Sequence, residues 1–198
     1  MGKASICVAT AVLAVAATAG CSSDNTASET SSVATSAAAS ATSSVAPASP
    51  AQPSDYTAAL IKASDIGPDY TAYGQPTLNP GGLAGVGQSF NTADTTRVVV
   101  DGIMVQADPE LAKQSAVEHN FPKVNAPTPQ PFDVGSNGRI ATGMSPDNTK
   151  AVTEVIFSEG RATVNLVFMS PPDSPPAPDF VLDVARKQDA AVKSAVPN

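Results

Sequence analysis

Residues 151–169 read AVTEVIFSEGRATVNLVFM, and this stretch decides the fold. Two runs, 151–157 and 161–169, flank the turn residues Ser158-Glu159-Gly160. In the second run Ala162, Val164, Leu166 and Phe168 alternate with Thr163, Asn165 and Val167. That period of two is what a strand imposes on its side chains, so the stretch is a hairpin. Residues 138–144 precede it across the turn Ser145-Pro146-Asp147-Asn148, extending it to a meander.

Further upstream, residues 86–90 and 96–107 form a second strand region. Asp101-Gly102, between two apolar triplets, resembles a hairpin signal. Arms that short leave little chain before the next helix, so a bulge in one long strand is favoured. Helices bracket these strands. From Phe180 onward, Val181, Val184, Ala185, Gln188, Ala191, Val192 and Ala195 share one face, while Asp183, Arg186, Lys187, Asp189 and Lys193 lie opposite. A second helix starts where Asp108 caps and Pro109 takes the first position, and it runs to about Asn120. A third is expected over residues 55–64, ended by Gly67-Pro68.

The expected order is α-β-β-α-β-β-β-α, an α+β domain in which three helices pack a mainly antiparallel sheet of about five strands. Ile103, Met104 and Val105, like Val155, Ile156 and Phe157, are apolar on both faces of their strands. Either helices cover both sides of the sheet, or one face lines a cavity for an apolar ligand.

All of this lies in residues 55–198, which hold every aromatic residue of the chain. Residues 22–54 are almost wholly Ser, Thr, Ala and Pro and cannot offset the entropy of ordering. As a coil they span roughly 30 Å, and about 110 Å when fully extended. Such a linker suits either O-glycosylation or service as a bare spacer. Residues 1–20 have the plan of a signal peptide: Lys3, then an apolar run from Ile6 to Ala17 too short to span a bilayer. Cleavage between Gly20 and Cys21 would leave Cys21 as the only thiol of an exported chain, and lipidation of its sulfur accounts for that odd cysteine. Two or more acyl chains there would hold the protein on the outer face of the cell membrane. The alternative is ordinary cleavage after Ala19, at Ala17-Thr18-Ala19, giving a secreted protein.

Charge and composition remove other classes. The chain carries 11 Lys and Arg against 18 Asp and Glu, a net charge of −7, which excludes a basic groove for nucleic acid. One His and two Cys cannot build a His/Cys metal site, so no metal and no cofactor is expected. His119, near Ser115 on the second helix, is expected to be structural. Neither Ser136 nor Ser145 sits in G-x-S-x-G, so both read as turn residues. Residues 81–87 lack the Lys-Ser/Thr of a phosphate loop and read as a flexible loop. Residues 133–140 imitate half of a calcium loop, but Gly135 and Met144 stand where ligands belong. Asp94, Asp133, Asp147 and Glu154 are the acids that a glycoside hydrolase would have to bring together, and solvated surface is their default reading. The proline clusters 127–131 and 171–178 read as rigid connectors.

The Thr18-Ala19-Gly20-Cys21 lipobox, the Ser/Thr/Ala/Pro stalk, Ser64-Asp65-Ile66-Gly67, Val134-Gly135 before a strand, the Gly160-Arg161 hairpin and the amphipathic last helix resemble the small cell-envelope lipoproteins of mycobacteria and related actinobacteria. The lipobox departs from that family's pattern at Thr18, where Leu is usual. Members of the group include sensor-like and Mog1/PsbP-like α+β domains and lipid carriers. The resemblance implies a non-enzymatic protein, anchored to the membrane through Cys21, that binds an envelope protein or other envelope component. Carriage of an apolar small molecule or lipid is the first alternative, and a wall-active hydrolase is the second. No catalytic residues are assigned, and the ligand-binding residues are unknown at this stage.

Overall fold

The computed structural model describes residues 55–197. The expected leader, the Gly20/Cys21 cleavage and lipidation site and the linker over residues 21–54 lie outside them. Seven strands form one sheet: β1 (Tyr70–Leu78), β2 (Gly85–Thr92), β3 (Val98–Val105), β4 (Gln130–Pro131), β5 (Ser136–Met144), β6 (Ala151–Glu159) and β7 (Ala162–Ser170). Their order across the sheet is β1-β2-β3-β7-β6-β5-β4, with every neighbouring pair antiparallel. The α+β class and antiparallel sheet are as expected, but the strand count among the described residues is seven rather than about five.

The two additional strands lack the signals that mark the others. β1 reads YTAYGQPTL, is mostly exposed, and slips register between Tyr73 and Thr77 around Gly74, whose φ is 70°. β4 is two residues long and includes Pro131, which is tolerated because the strand is an edge. The proline cluster 127–131 is therefore partly strand rather than connector throughout. Residues 81–87 are likewise only partly loop, since β2 already begins at Gly85.

Asp101-Gly102 makes neither hairpin nor bulge. β3 keeps unbroken register with β2 and with β7 through both residues. Alternation decides this, because Val99, Asp101, Ile103 and Val105 all point to the same buried side.

The sheet has two unlike faces. On the first, Val86, Phe90, Val99, Ile103, Val155, Phe157, Val164, Leu166 and Phe168 form the main core. Helix α3 (Pro178–Ala195) closes it with Val181, Val184, Ala185 and Val192. Its expected Asp183/Lys187 and Asp189/Lys193 pairs form, at 2.7 and 2.6 Å. The helix expected over 55–64 is instead a 3₁₀ turn, Thr57–Ala59, and a one-turn helix α1, Ala63–Ile66. Gln188 of α3 explains the break. Its buried amide accepts from the Ile61 N–H at 3.0 Å and donates to the Ala59 carbonyl at 2.8 Å, drawing off backbone groups that a continuous helix would use.

The second face is covered over only part of its width. Helix α2 (Pro109–Glu118), capped by Asp108 Oδ1 accepting from the Leu111 N–H at 2.9 Å, lies over β5, β6 and β7. A smaller core forms beneath it from Ala116, Phe121, Val124, Ala141, Val152, Ile156 and Val167. Among the described residues, no helix is long and apolar enough to cross a membrane.

Candidate functional site

Beside α2, no helix among the described residues covers the second face of β1, β2 and β3, which forms a groove of about 610 Å³. Its floor contains Gly87 and Gly102, which are paired across β2 and β3. A Cβ built on either would meet nothing closer than 3.6 Å, so the hollow exists because two adjacent positions carry no side chain. Tyr73 stands at the β1 side, 70 % exposed, and Met104 at the end where β3 leads toward α2. Along the strands the groove continues into a shallower hollow of about 410 Å³ bordered by Val98 and Met169. A volume of several hundred Å³ with mostly apolar lining is the size class of small-molecule sites.

The wall toward α2 is polar and built with care for its hydrogen bonds. Glu154, on β6, is 1 % exposed, and its charge is held by three donors. His119 Nε2 and Asn165 Nδ2 reach Oε1 at 2.8 and 3.0 Å, and the Lys123 N–H reaches Oε2 at 3.1 Å. Burial, the largest single effect, opposes ionisation, but these donors together with the charge of His119 outweigh it and hold the Glu154 carboxyl below its ordinary pKa.

His119 follows α2 as its C-cap residue and is fixed from several sides. Its ring packs edge-on to Phe121 at 5.0 Å between centroids. Arg139 of β5 stacks over Phe121 at 5.1 Å and donates to the Val117 carbonyl at 2.6 Å, capping the end of the helix. Phe121 itself has φ 52°, a left-handed conformation that a bulky side chain adopts only under constraint. Backbone strain thus sits two residues from the imidazole.

Of the acids offered by the sequence, only Glu154 belongs to this wall. Asp94 accepts from Thr92 and Thr96 in the β2–β3 turn, and Asp147 accepts from Ser145 and Thr149 in the β5–β6 turn. Asp133 lies before β5, at the other end from Asp147, and faces Arg186 at 3.7 Å. The four therefore do not meet. Ser145 is the turn residue expected, with its hydroxyl accepting from the Thr149 and Lys150 N–H groups. Ser136 opens β5, where its carbonyl accepts from the Ser158 hydroxyl. Ser115 lines the groove, but its hydroxyl is bonded to Gln106 at 3.3 Å and not to His119. No group of three or more His, Cys, Asp and Glu able to hold a metal ion occurs among the described residues.

Asp101 is the residue that sequence reasoning placed wrongly. It is fully buried in the main core, on the face opposite the groove, and neither carboxylate oxygen has a hydrogen-bond partner. Burial pushes its pKa up to about 8, and the nearby Ile61 N–H, committed to Gln188, only partly opposes the rise. Asn165, Gly87 and Gly102 carried no signal of their own in the sequence. The nearest clue was Met104, apolar on the side where nothing was available to cover it.

Fold and site together define a class: an antiparallel α+β domain with one sheet face closed by helices and the other half open beside a buried His-Glu-Asn network. No protein-family model matches the chain, and no curated protein or solved structure matches it significantly.

Proposed function

We propose that the chain is an exported, lipid-tethered binding protein without catalytic function, and that the groove between β1–β3 and α2 receives an apolar small molecule or lipid chain. The observation that carries this reading is the uncovered glycine floor. A seven-stranded sheet with a sealed apolar core on one face retains a hollow of about 610 Å³ on the other, where two unhindered positions omit the side chains that would fill it. Filling a void in a strand interior stabilises a protein, so keeping it open favours ligand occupancy over packing. The separation of Asp94, Asp133 and Asp147 from Glu154 counts against the hydrolase reading.

A second reading, recognition of a protein partner, draws on Tyr73, Leu78 and Leu83, which are 70 %, 47 % and 55 % exposed beside the edge strand β1. The two are separated by native mass spectrometry of the protein taken from its own envelope. A co-purifying apolar species at one per chain, absent from a Gly102→Val variant, supports carriage. A chain that carries nothing, and whose partner capture is unchanged by Gly102→Val, overturns it in favour of the protein partner.

A further inference from the structure

We propose that the groove selects a single-chain amphiphile whose head is an uncharged hydrogen-bond donor, such as a hydroxyl, seated against Asn165. This inference rests on the groove being a ligand site and adds the chemistry of the ligand's two ends.

The polar wall supplies the first argument. His119 Nε2 lies 2.8 Å from the Glu154 carboxylate and 3.0 Å from the Asn165 amide nitrogen, so the imidazole is committed to this network. Asn165 turns its amide nitrogen toward Glu154 on β6, and its side-chain oxygen has no hydrogen-bond partner among the described residues. Asn165 is paired with Gly102 on its other side, so this acceptor belongs to the bare part of the floor. An unpaired acceptor at the polar end of an apolar groove calls for a donor.

Charge complementarity supplies the second. The groove lining contains no Lys and no Arg, and the chain as a whole carries −7. A carboxylate or phosphate head would meet the Asn165 side-chain oxygen with no Lys or Arg in the lining to offset its charge. Size supplies the third. At about 30 Å³ per heavy atom, the volume a water molecule takes in the liquid, the main hollow holds roughly 20 heavy atoms. One acyl or alkyl chain with a small head fits, and a two-chain lipid does not.

The test is calorimetric titration of the full chain carrying Cys21→Ser, so that no detergent competes for the groove. Three ligands with the same dodecanoyl chain are compared: monododecanoylglycerol, its di-O-methyl ether and dodecanoate. The glyceride is expected to bind about tenfold more tightly than either of the others. Gly102→Val should abolish all binding, whereas Asn165→Leu should retain binding and lose most of the preference. If the ether or dodecanoate binds as tightly as the glyceride, the inference fails while the groove stands. If none of the three binds, the groove reading fails with it. Should Asn165→Leu not fold, the ether comparison on the otherwise unchanged chain decides alone.

Discussion

Two buried carboxylates, one on each face of the sheet, have opposite consequences for stability. Asp101 has a folded pKa of about 8 against 3.8 when solvated, so between those values the folded state holds a proton that the unfolded state does not. Its contribution is fully present below pH 3.8 and is lost as pH rises toward 8, at about 1.4 kcal/mol per pH unit. Glu154 has a lowered pKa, so its contribution is present above its ordinary value of 4.5 and is lost as pH falls below it. Urea unfolding should therefore show greatest stability near pH 4, with a steady decline from there toward pH 8. Asp101→Asn should flatten that decline and be about 5 kcal/mol more stable than the parent at pH 8, with little difference at pH 4. An unchanged decline would mean that Asp101 is not the group responsible. His119→Ala, which leaves a buried carboxylate short of its closest donor, should cost about 3 kcal/mol at neutral pH, whereas Glu154→Gln should cost less.

At the level of elements, the difference between the legible and the illegible follows the strength of the burial pattern. The β6–β7 hairpin carries apolar runs about a short turn, α2 its Asp108-Pro109 start and α3 an amphipathic period, and all three fall close to where the sequence places them. β1 has no such period because it is an exposed edge, and the 55–64 segment is shaped by Gln188, 127 residues away from Ile61 in the chain. The two apolar triplets resolve in different ways. Val155, Ile156 and Phe157 are covered on both sides, while Met104 is 37 % exposed over the groove although Ile103 and Val105 are buried. Glu154 and His119 were visible as residues but not as a pair, since no local spacing joins a helix end to a strand 35 residues on. Two measurements belong at this scale. Gln188→Leu removes the partners of two buried backbone groups and should cost about 2 kcal/mol, with amide exchange at Ile61 accelerating before exchange in β6 or β7. Gly102→Val should leave stability within about 1 kcal/mol of the parent, because a β-branched residue suits a strand and its Cβ meets only the Asn165 carbonyl at 3.7 Å. Gly135→Ala should be worse than either, since φ is 58° there and a Cβ would lie 2.6 Å from the Phe157 ring.

For the whole molecule, the proposed function raises the question of how a groove on a small acidic domain reaches a poorly soluble ligand. The domain over residues 55–198 holds 16 acids against 10 Lys and Arg, so an anionic lipid surface repels it and cannot recruit it. On the proposed function, attachment comes from acyl chains on Cys21, independently of domain charge. Anchoring and ligand binding are then separable properties, each with its own variant. Cys21→Ser should move the protein from the membrane fraction to the medium without changing its thermal melting or its affinity for monododecanoylglycerol. Gly102→Val should do the reverse, staying with the membrane while losing the ligand. Retention of the Cys21→Ser protein in the membrane fraction would show that something other than acyl chains holds it. Loss of the co-purifying ligand from that same variant, with its affinity for monododecanoylglycerol kept in solution, would show that the groove is filled only when the anchor brings it to lipid.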